Sequence, residues 1–450
     1  MSMLNRNENY FNKAKIQSNK DDDAFNPNRA IWFLLLHLPL GFLLQYNPIF
    51  STIHAVTTII VGLYFIINDK HPSRLIYLMS YITGAELLWR GTHANIFWET
   101  GKYAITGFAI LGLLRYKNNS KIKITPLIYF LLLLPSILIM PSFDREEIAF
   151  SLAGPMALAF AILFLDSITF NQSNMKKLLI GMMAPITSWG ILVTFGIISA
   201  DEITFSANSL FVTSGGIGPN QVSSILGLGA LAAFLFIINE QNHKFISFFV
   251  GLIAIWLFVQ TILTFSRGGS WTPIGAIIAA SLFFIRNKTI RNRYFLIMAV
   301  LFSLFYFVFF PALDRFTMGA TTERYSDFGT TGRWEIILSD LEVFKRHPIL
   351  GVGPFQSKPY HAIYFRYSSS HTEYSRMLAE HGIFGFLSLL IFLEMILSRF
   401  LKKTNLQSKA FIVAFLTWGV LFMAHSATRL VAPSFMIALA FLNYKFEEPE

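Results

Sequence analysis

Long apolar segments, separated by short polar connections, constrain this chain more than any other feature of its sequence. Runs of roughly 17 to 22 mostly apolar residues recur along it, and about 20 such residues cross the ~30 Å hydrocarbon core as a helix. The composition agrees, since 54% of the residues are hydrophobic and only 14% are charged. Backbone polar groups in lipid need partners within the same segment, which helices provide. We therefore expect an all-α, polytopic integral membrane protein.

The apolar pattern predicts about 12 to 14 transmembrane helices, given the ~20 residues that each one needs. The spans are expected near 31–46, 50–67, 74–90, 103–116, 122–140, 149–165, 177–199, 220–238, 244–265, 271–285, 294–311, 383–398, 409–424 and 430–444. The chain then divides into a cytoplasmic tail at 1–29, transmembrane helices 1–11 at 30–311, a large outer loop at 312–382 and C-terminal transmembrane helices at 383–450.

The basic residues predict the orientation of these helices. The net charge is +10, with 36 Lys and Arg residues. Most of them fall on alternate short loops that begin with the N-terminus, whereas the other short loops hold Arg90, Lys102, Arg145, Arg267 and Arg429. Cytoplasmic loops carry such an excess of positive charge, so both termini should be cytoplasmic. The excess of basic residues is thus explained by the membrane topology, and we expect no nucleic-acid partner. The chain has no cysteine, which excludes disulfides, thiol chemistry and Cys-based metal sites.

The loop at 312–382 is the natural place for function, because membrane anchoring alone does not need a long loop. It contains GRWEIILSDLEVFKRHPILGVGPFQ at 332–356, which predicts an amphipathic helix that begins at Arg333 and ends in a Gly-rich turn. The predicted apolar face consists of Trp334, Ile337, Leu338, Leu341 and Phe344. This face either lies on the bilayer surface or packs on the spans.

A second helix in this loop is predicted by SHTEYSRMLAEHG at 370–382. Ser370 followed by Glu373 is a capping-box pattern, which makes Ser370 the N-cap and His371 the first helical residue. An imidazole at a helix N-terminus is biased toward its neutral, proton-accepting form. Glu373, Arg376 and Glu380 are expected to pair along the solvent side.

Two outer turns carry further candidates. In TFSRGGSW at 264–271, Gly268 and Gly269 add little bulk beside Arg267, so an anionic group can approach its guanidinium. A snorkelling, interfacial arginine is the alternative. In GGIGPNQVS at 215–223, Asn220 near the start of a span is either part of a sugar or phosphate site or part of a structural turn.

Other polar residues near the spans have two possible roles. Trp89, Trp98 and Tyr103 are typical of an interfacial aromatic belt, although Arg90 and Glu99 between them can instead shape a substrate cleft. The histidines in or beside spans are interpreted as hydrogen-bonded packing residues rather than metal ligands; they are His37, His54 and His425.

These motifs, in this order, resemble the O-antigen ligase and O-antigen polymerase superfamily, bacterial membrane glycosyltransferases of GT-C-like architecture. The resemblance covers roughly residues 260–400 and rests on SRGG in an outer turn, the GRWEIILSDLEVFKRHPILGVGPFQ stretch and HTEYSRMLAEHGIFG leading into a span. It implies that Arg267, Arg333 and His371 are the catalytic residues. One departure is Thr372, at a position where this family usually has Asn.

The resemblance also implies an activity. The family transfers a glycan from undecaprenyl pyrophosphate to an acceptor hydroxyl in the periplasm, in the inner membrane and without a metal ion. On this basis the arginines stabilise the pyrophosphate leaving group, neutral His371 is the general base, and direct displacement inverts the anomeric carbon. Further substrate contacts are expected from Gly268, Gly269, Asn220 and Arg90.

The acceptor separates the functional alternatives. An O-antigen ligase uses the lipid A core, and this is the leading prediction. A polysaccharide polymerase uses the growing lipid-linked glycan, and a protein O-oligosaccharyltransferase uses a protein. A non-enzymatic polysaccharide transporter also has many spans, but it should carry charges within span centres, whereas this chain concentrates them at the outer face.

Overall fold

The computed structural model of the protein describes residues 24–116, 123–200, 203–206, 208–327, 329, 332–364 and 369–446. The predicted N-terminal tail lies mostly outside these residues. The all-α prediction is confirmed, because the described chain folds almost entirely into helices. The two-residue strands β1 (Thr169–Phe170) and β2 (Asn443–Tyr444) form one short parallel pair.

The described part of the chain before residue 240 contains eight α-helices. They are α1 (Pro27–Tyr46), α2 (Pro48–Asn68), α3 (Ser73–Gly91), α4 (Thr100–Tyr116), α5 (Thr125–Leu131), α6 (Arg145–Leu165), α7 (Gln172–Ile198) and α8 (Pro219–Asn239). Short 3₁₀ helices occupy Leu134–Ile139 and Val212–Ser214.

The remaining helices include those of the predicted large loop. They are α9 (Lys244–Leu263), α10 (Arg267–Phe284), α11 (Lys288–Leu304), α12 (Phe310–Phe316), α13 (Ala320–Ser326), α14 (Arg333–Arg346), α15 (Ser357–Tyr364), α16 (Glu373–Leu401), α17 (Leu406–Ser426) and α18 (Ala432–Leu439). A π-helical turn at Phe305–Phe309 joins α11 to α12.

Within the described residues, nine helical segments are long and apolar enough to cross a membrane, fewer than the predicted spans. Two predicted spans are shorter than expected. Of the span predicted at 122–140, residues 125–131 form α5 and residues 134–139 form a 3₁₀ helix, with Pro135 near its start. Residues 430–444 form only α18, because the chain then turns into β2 and pairs with β1.

Helix α8 lies at the centre of the bundle and is almost completely buried. Helix α10 packs closely against it: a Cβ added at Gly269 would lie 2.3 Å from the Cβ of Ser223. Small residues permit such close approach between helices. This contact brings the beginning of α10, with Arg267, next to the beginning of α8, with Asn220.

The long helix α16 is bent at Gly382, whose φ of 58° and ψ of −136° are not helical. The turn at 351–353 docks against this bend, since Val352 N donates to Ala379 O at 3.0 Å and Gly353 N donates to Glu380 O at 3.0 Å. A Cβ at Gly382 would lie 2.5 Å from the carbonyl oxygen of Ile349. Glycine is therefore required here by both backbone conformation and space.

Helix α14 begins at Arg333 as predicted, but it packs through a different face. Trp334 and Leu338 of the predicted apolar face are exposed, whereas Ile336, Asp340 and Val343 are buried. The exposed face leaves room for lipid contact, while the buried carboxylate of Asp340 is an acceptor for neighbouring segments.

Candidate functional site

Asn220 joins the two arginine-bearing helix starts that the sequence predicts to be functional. Its Oδ1 accepts a 2.7 Å hydrogen bond from Ser266 Oγ and a 3.1 Å hydrogen bond from Arg333 Nη2. Ser266 is the residue before Arg267 and is the N-cap of α10. The site thus brings together the starts of α8, α10 and α14 at one end of the bundle.

Arg267 is the first residue of α10 rather than part of a turn, which corrects the sequence prediction. Its Nη2 donates to Gly329 O at 2.6 Å, and its Nη1 lies 3.5 Å from Asp327 Oδ2. The Asp327 side chain is 53% exposed, so this pair is open to water. An exposed ion pair of this kind contributes about 0 to 1 kcal/mol and can be exchanged for a ligand.

Neighbouring side chains lie close to Gly268 and Gly269, whose substrate contacts stay a prediction. A Cβ at Gly268 would lie 2.8 Å from the His425 ring, and a Cβ at Gly269 would lie 1.9 Å from Ser223 Oγ. Both glycines therefore serve close helix packing.

Arg333 and Arg324 extend the positive charge at Arg267. Arg324 Nε donates to Phe265 O at 2.8 Å, next to the start of α10. Burial, followed by the charges of Arg324 and Arg267, lowers the pKa of Arg333, and burial with the charge of Arg267 lowers that of Arg324. Neither forms an ion pair with a carboxylate among the described residues. The sequence prediction missed Arg324, which lies in a helix of only seven residues without a motif.

Arg429 is a fourth arginine of this site and was also missed. It lies in the connection at 427–431, between α17 and α18, and its Nη2 donates to Ser370 O at 3.2 Å. Burial, followed by the charges of Arg376 and Arg333, lowers its pKa to about 10. We call Arg267, Arg324, Arg333 and Arg429 the arginine cluster.

His371 lies beside this cluster but outside the helix that was expected to begin with it. The N-cap of α16 is Thr372, whose Oγ1 accepts from Tyr374 N at 3.3 Å, so the predicted capping role of Ser370 is wrong. Ser370 Oγ instead donates to Asp340 Oδ1 at 2.9 Å. The carbonyl of His371 accepts from Ala427 N at 3.1 Å, which fixes the backbone of His371 against the 427–431 connection.

The predicted charge row on α16 forms, but it is buried rather than solvated. Arg376 Nη2 lies 2.6 Å from Glu373 Oε1, and Nη1 lies 2.8 Å from Glu380 Oε2. Ser151 of α6 contacts both Arg376 and Glu380. Glu373 also accepts hydrogen bonds of 3.1 and 3.2 Å from the backbone and hydroxyl of Thr428. This row therefore fixes the helix that follows His371.

Arg90 is buried and makes several contacts with protein groups. Its Nη2 lies 2.7 Å from Glu86 Oε1 and 3.4 Å from Glu99 Oε2, and its Nε donates to Trp98 O at 3.0 Å. Its Nη1 donates to Arg429 O at 2.9 Å. The substrate-binding role of Arg90 stays a prediction, and its contact with the Arg429 carbonyl positions the backbone of Arg429.

The remaining histidines of the sequence prediction are hydrogen-bonded packing residues, as expected. His37 and His54 both contact Tyr81 OH, at 3.0 and 2.8 Å, and His425 Nε2 lies 3.0 Å from Thr272 Oγ1. Trp89 is buried and donates to His54, so it is not part of an interfacial belt. Across the described ranges, no group of three or more His, Asp or Glu side chains is arranged as a metal site.

Part of the chain matches a known protein family. Residues 252–390 match the model of a family described as O-antigen ligase. The matched segment contains Arg267, Arg324, Arg333 and His371, and it ends before Arg429. A search of the curated proteins found no match.

Proposed function

We propose that this chain, whose residues 252–390 match an O-antigen ligase family, transfers a glycan from undecaprenyl pyrophosphate to an acceptor hydroxyl at the periplasmic face of the inner membrane. We propose the ligase activity, in which the acceptor is the lipid A core. One observation carries the proposal. The arginine cluster lies around the start of α10, and the following turns of α10 line an apolar cavity.

The arginine cluster suits a multiply charged anion. Buried charges are normally paired, because removing them from water is costly. Among the described residues, Arg324 and Arg333 have no carboxylate partner, and Arg267 has only the exposed Asp327. A pyrophosphate supplies the missing negative charge, and its oxygens match the planar fork of donors on a guanidinium.

The apolar cavity suits the polyprenyl chain of the donor. It has a volume of about 500 Å³ and is lined by residues of α8, α9, α10 and the α11–α12 segment, among them Pro273 and Ile277. These two residues follow Arg267 by six and ten positions on the same helix, which corresponds to roughly 9 to 15 Å at the helical rise. One helix therefore presents a cation to the pyrophosphate and apolar side chains to the isoprenoid.

His371 is the proposed general base. It takes the proton of the acceptor hydroxyl while the oxygen attacks the anomeric carbon of the donor. The bond from that carbon to the pyrophosphate oxygen breaks, and its electron pair leaves with undecaprenyl pyrophosphate. Arg267 and Arg333 stabilise the charge that develops there, and attack opposite the leaving group gives inversion.

The proposal is tested by reconstitution of the purified protein with an undecaprenyl-pyrophosphate glycan. Lipid A core is supplied as acceptor in one arm and a second lipid-linked glycan in the other. Glycan attached to lipid A core supports the ligase, and longer chains on the carrier instead identify a polymerase. No transfer in either arm, with folded protein, refutes both.

A further inference from the structure

We infer that Arg429 is a further substrate-binding residue of this site, whose guanidinium binds a phosphate or pyrophosphate oxyanion of a substrate next to Arg333. This inference rests on the proposed function and extends it to a residue outside the segment that matches the family. It is carried by the contacts, the charges and the backbone support of Arg429.

The guanidinium of Arg429 has spare donors. Its Nη2 donates to Ser370 O at 3.2 Å. Its Nε is out of contact with solvent and has no hydrogen-bond partner in the described part of the chain. A buried donor without a partner costs about 1 to 3 kcal/mol, more for a charged group, unless a ligand satisfies it. Because Ser370 directly precedes the proposed base, His371, the contact with Ser370 also places Arg429 beside that base.

The surroundings of Arg429 are positive. Arg333 and Arg376 lie close enough for their charges to lower its pKa, in addition to burial. Arg376 is neutralised by Glu373 and Glu380, whereas no carboxylate of the described residues pairs with Arg333 or Arg429. Two neighbouring guanidinium groups without a carboxylate are stabilised by an anion that binds both of them.

Arginines with a structural role in this protein are engaged differently. Arg90 contacts two carboxylates and two carbonyl oxygens, and Arg376 contacts two carboxylates. Arg399, which contacts no carboxylate within the described ranges, donates through Nε and Nη2 to the carbonyls of Ala440 and Leu442. Of the described residues, a single carbonyl accepts from Arg429, so its engagement is incomplete without a ligand.

Four hydrogen bonds fix the backbone around Arg429. Ala427, with a φ of 50° that is uncommon for a residue with a side chain, is part of this connection. The contacts are Ala427 N to His371 O at 3.1 Å, Thr428 N to Glu373 Oε2 at 3.1 Å, Arg90 Nη1 to Arg429 O at 2.9 Å and Val431 N to Glu86 Oε2 at 2.6 Å. Preorganised donors of this kind bind a charge without reorganisation, as catalytic anion sites require.

The test uses the purified full-length protein and inorganic pyrophosphate as the probe. Thermal unfolding is followed while pyrophosphate is added to wild type, Arg429→Gln and Arg429→Lys. We expect the glutamine variant to bind pyrophosphate at least about tenfold more weakly. The lysine variant keeps the charge but loses the planar fork of donors. Its affinity for pyrophosphate should therefore lie between those of wild type and the glutamine variant. Arg346→Gln, which changes an exposed arginine at the end of α14, is the matched control and should bind like wild type.

The kinetics of glycan transfer identify the source of the oxyanion. A higher KM for the lipid-linked donor in Arg429→Lys indicates the donor pyrophosphate. A higher KM for the acceptor alone indicates an acceptor phosphate. Equal pyrophosphate affinity of wild type and both Arg429 variants overturns this inference, even when wild type transfers glycan. Absence of transfer by wild type, by contrast, refutes the proposed function.

Discussion

Ser375 of α16 donates a 2.6 Å hydrogen bond to Asp340 Oδ2 of α14, and both side chains are buried. The other oxygen of Asp340 accepts from Ser370 at 2.9 Å and lies 2.7 Å from His361 Nε2. One carboxylate thus joins three segments of the large loop, and it holds Ser370 next to the proposed base.

Asp340→Ala should therefore destabilise the protein. The change leaves three buried polar groups without their shared acceptor, and a buried polar group without a partner costs about 1 to 3 kcal/mol. Thermal unfolding of the purified protein measures the effect. Glu342→Ala, two positions later on the same helix, removes a half-exposed carboxylate and should change stability by less than about 1 kcal/mol. Equal stability of the two variants would contradict the role of Asp340.

Arg267→Lys should reduce glycan transfer although it keeps the positive charge. An ammonium cannot make the two parallel hydrogen bonds that a guanidinium makes to a phosphate, and loss of one donor to a developing oxyanion costs about 10² to 10³ in rate. Steady-state kcat/KM with the lipid-linked donor is the measurement. Arg315→Lys, on the exposed surface of α12, is the control. Unchanged kcat/KM in Arg267→Lys would show that charge alone suffices.

His371→Ala should lower kcat by about 10² to 10⁴, the range that general-base catalysis contributes. Donor binding should remain, because pyrophosphate contacts are assigned to the arginine cluster. A pyrophosphate titration of the same variant checks this separation. His71→Ala, which changes an exposed histidine between α2 and α3, should leave both values unchanged. Full transfer activity in His371→Ala would refute its assignment as the base.

Gly269→Ala should lower both stability and activity, since the new Cβ would lie 2.5 Å from the backbone carbon of Ser223 and force α8 and α10 apart. These two helices carry Asn220 and Arg267. Gly196→Ala is the control, because a Cβ there meets nothing within 4 Å. Since part of the clash involves the Ser223 side chain, adding Ser223→Gly should restore the melting temperature only partly. Wild-type behaviour of Gly269→Ala would mean that the helices are less tightly packed than the structure indicates.

The sequence predicts the helical class, most of the helices and two of the four arginines of the arginine cluster. Arg267 and Arg333 stand in recognisable motifs, and both reach the site. Arg324 and Arg429 stand in none, and their position depends on contacts between distant parts of the chain. The Arg90 contact with the Arg429 carbonyl, for example, spans 339 positions. Periodicity and local motifs contain no information about such a contact.

The capping box illustrates why a local pattern can fail. Ser370 and Glu373 have the right spacing, but each finds a stronger partner elsewhere: Ser370 donates to Asp340, and Glu373 pairs with Arg376. Charge-assisted contacts of this kind outweigh a neutral capping hydrogen bond. Thr372 then becomes the cap, and His371 is left outside the helix.

The contact between Val431 N and Glu86 has a consequence for the order of assembly. Glu86 belongs to the third helix of the described chain and is inserted early during synthesis, whereas Val431 precedes α18, the last one. The backbone that carries Arg429 can therefore reach its final position only after α18 has emerged and inserted. A nascent chain that stops earlier has Arg267, Arg333 and His371 but lacks Arg429 and the connection that holds it, so under the proposed function it should not yet transfer glycan.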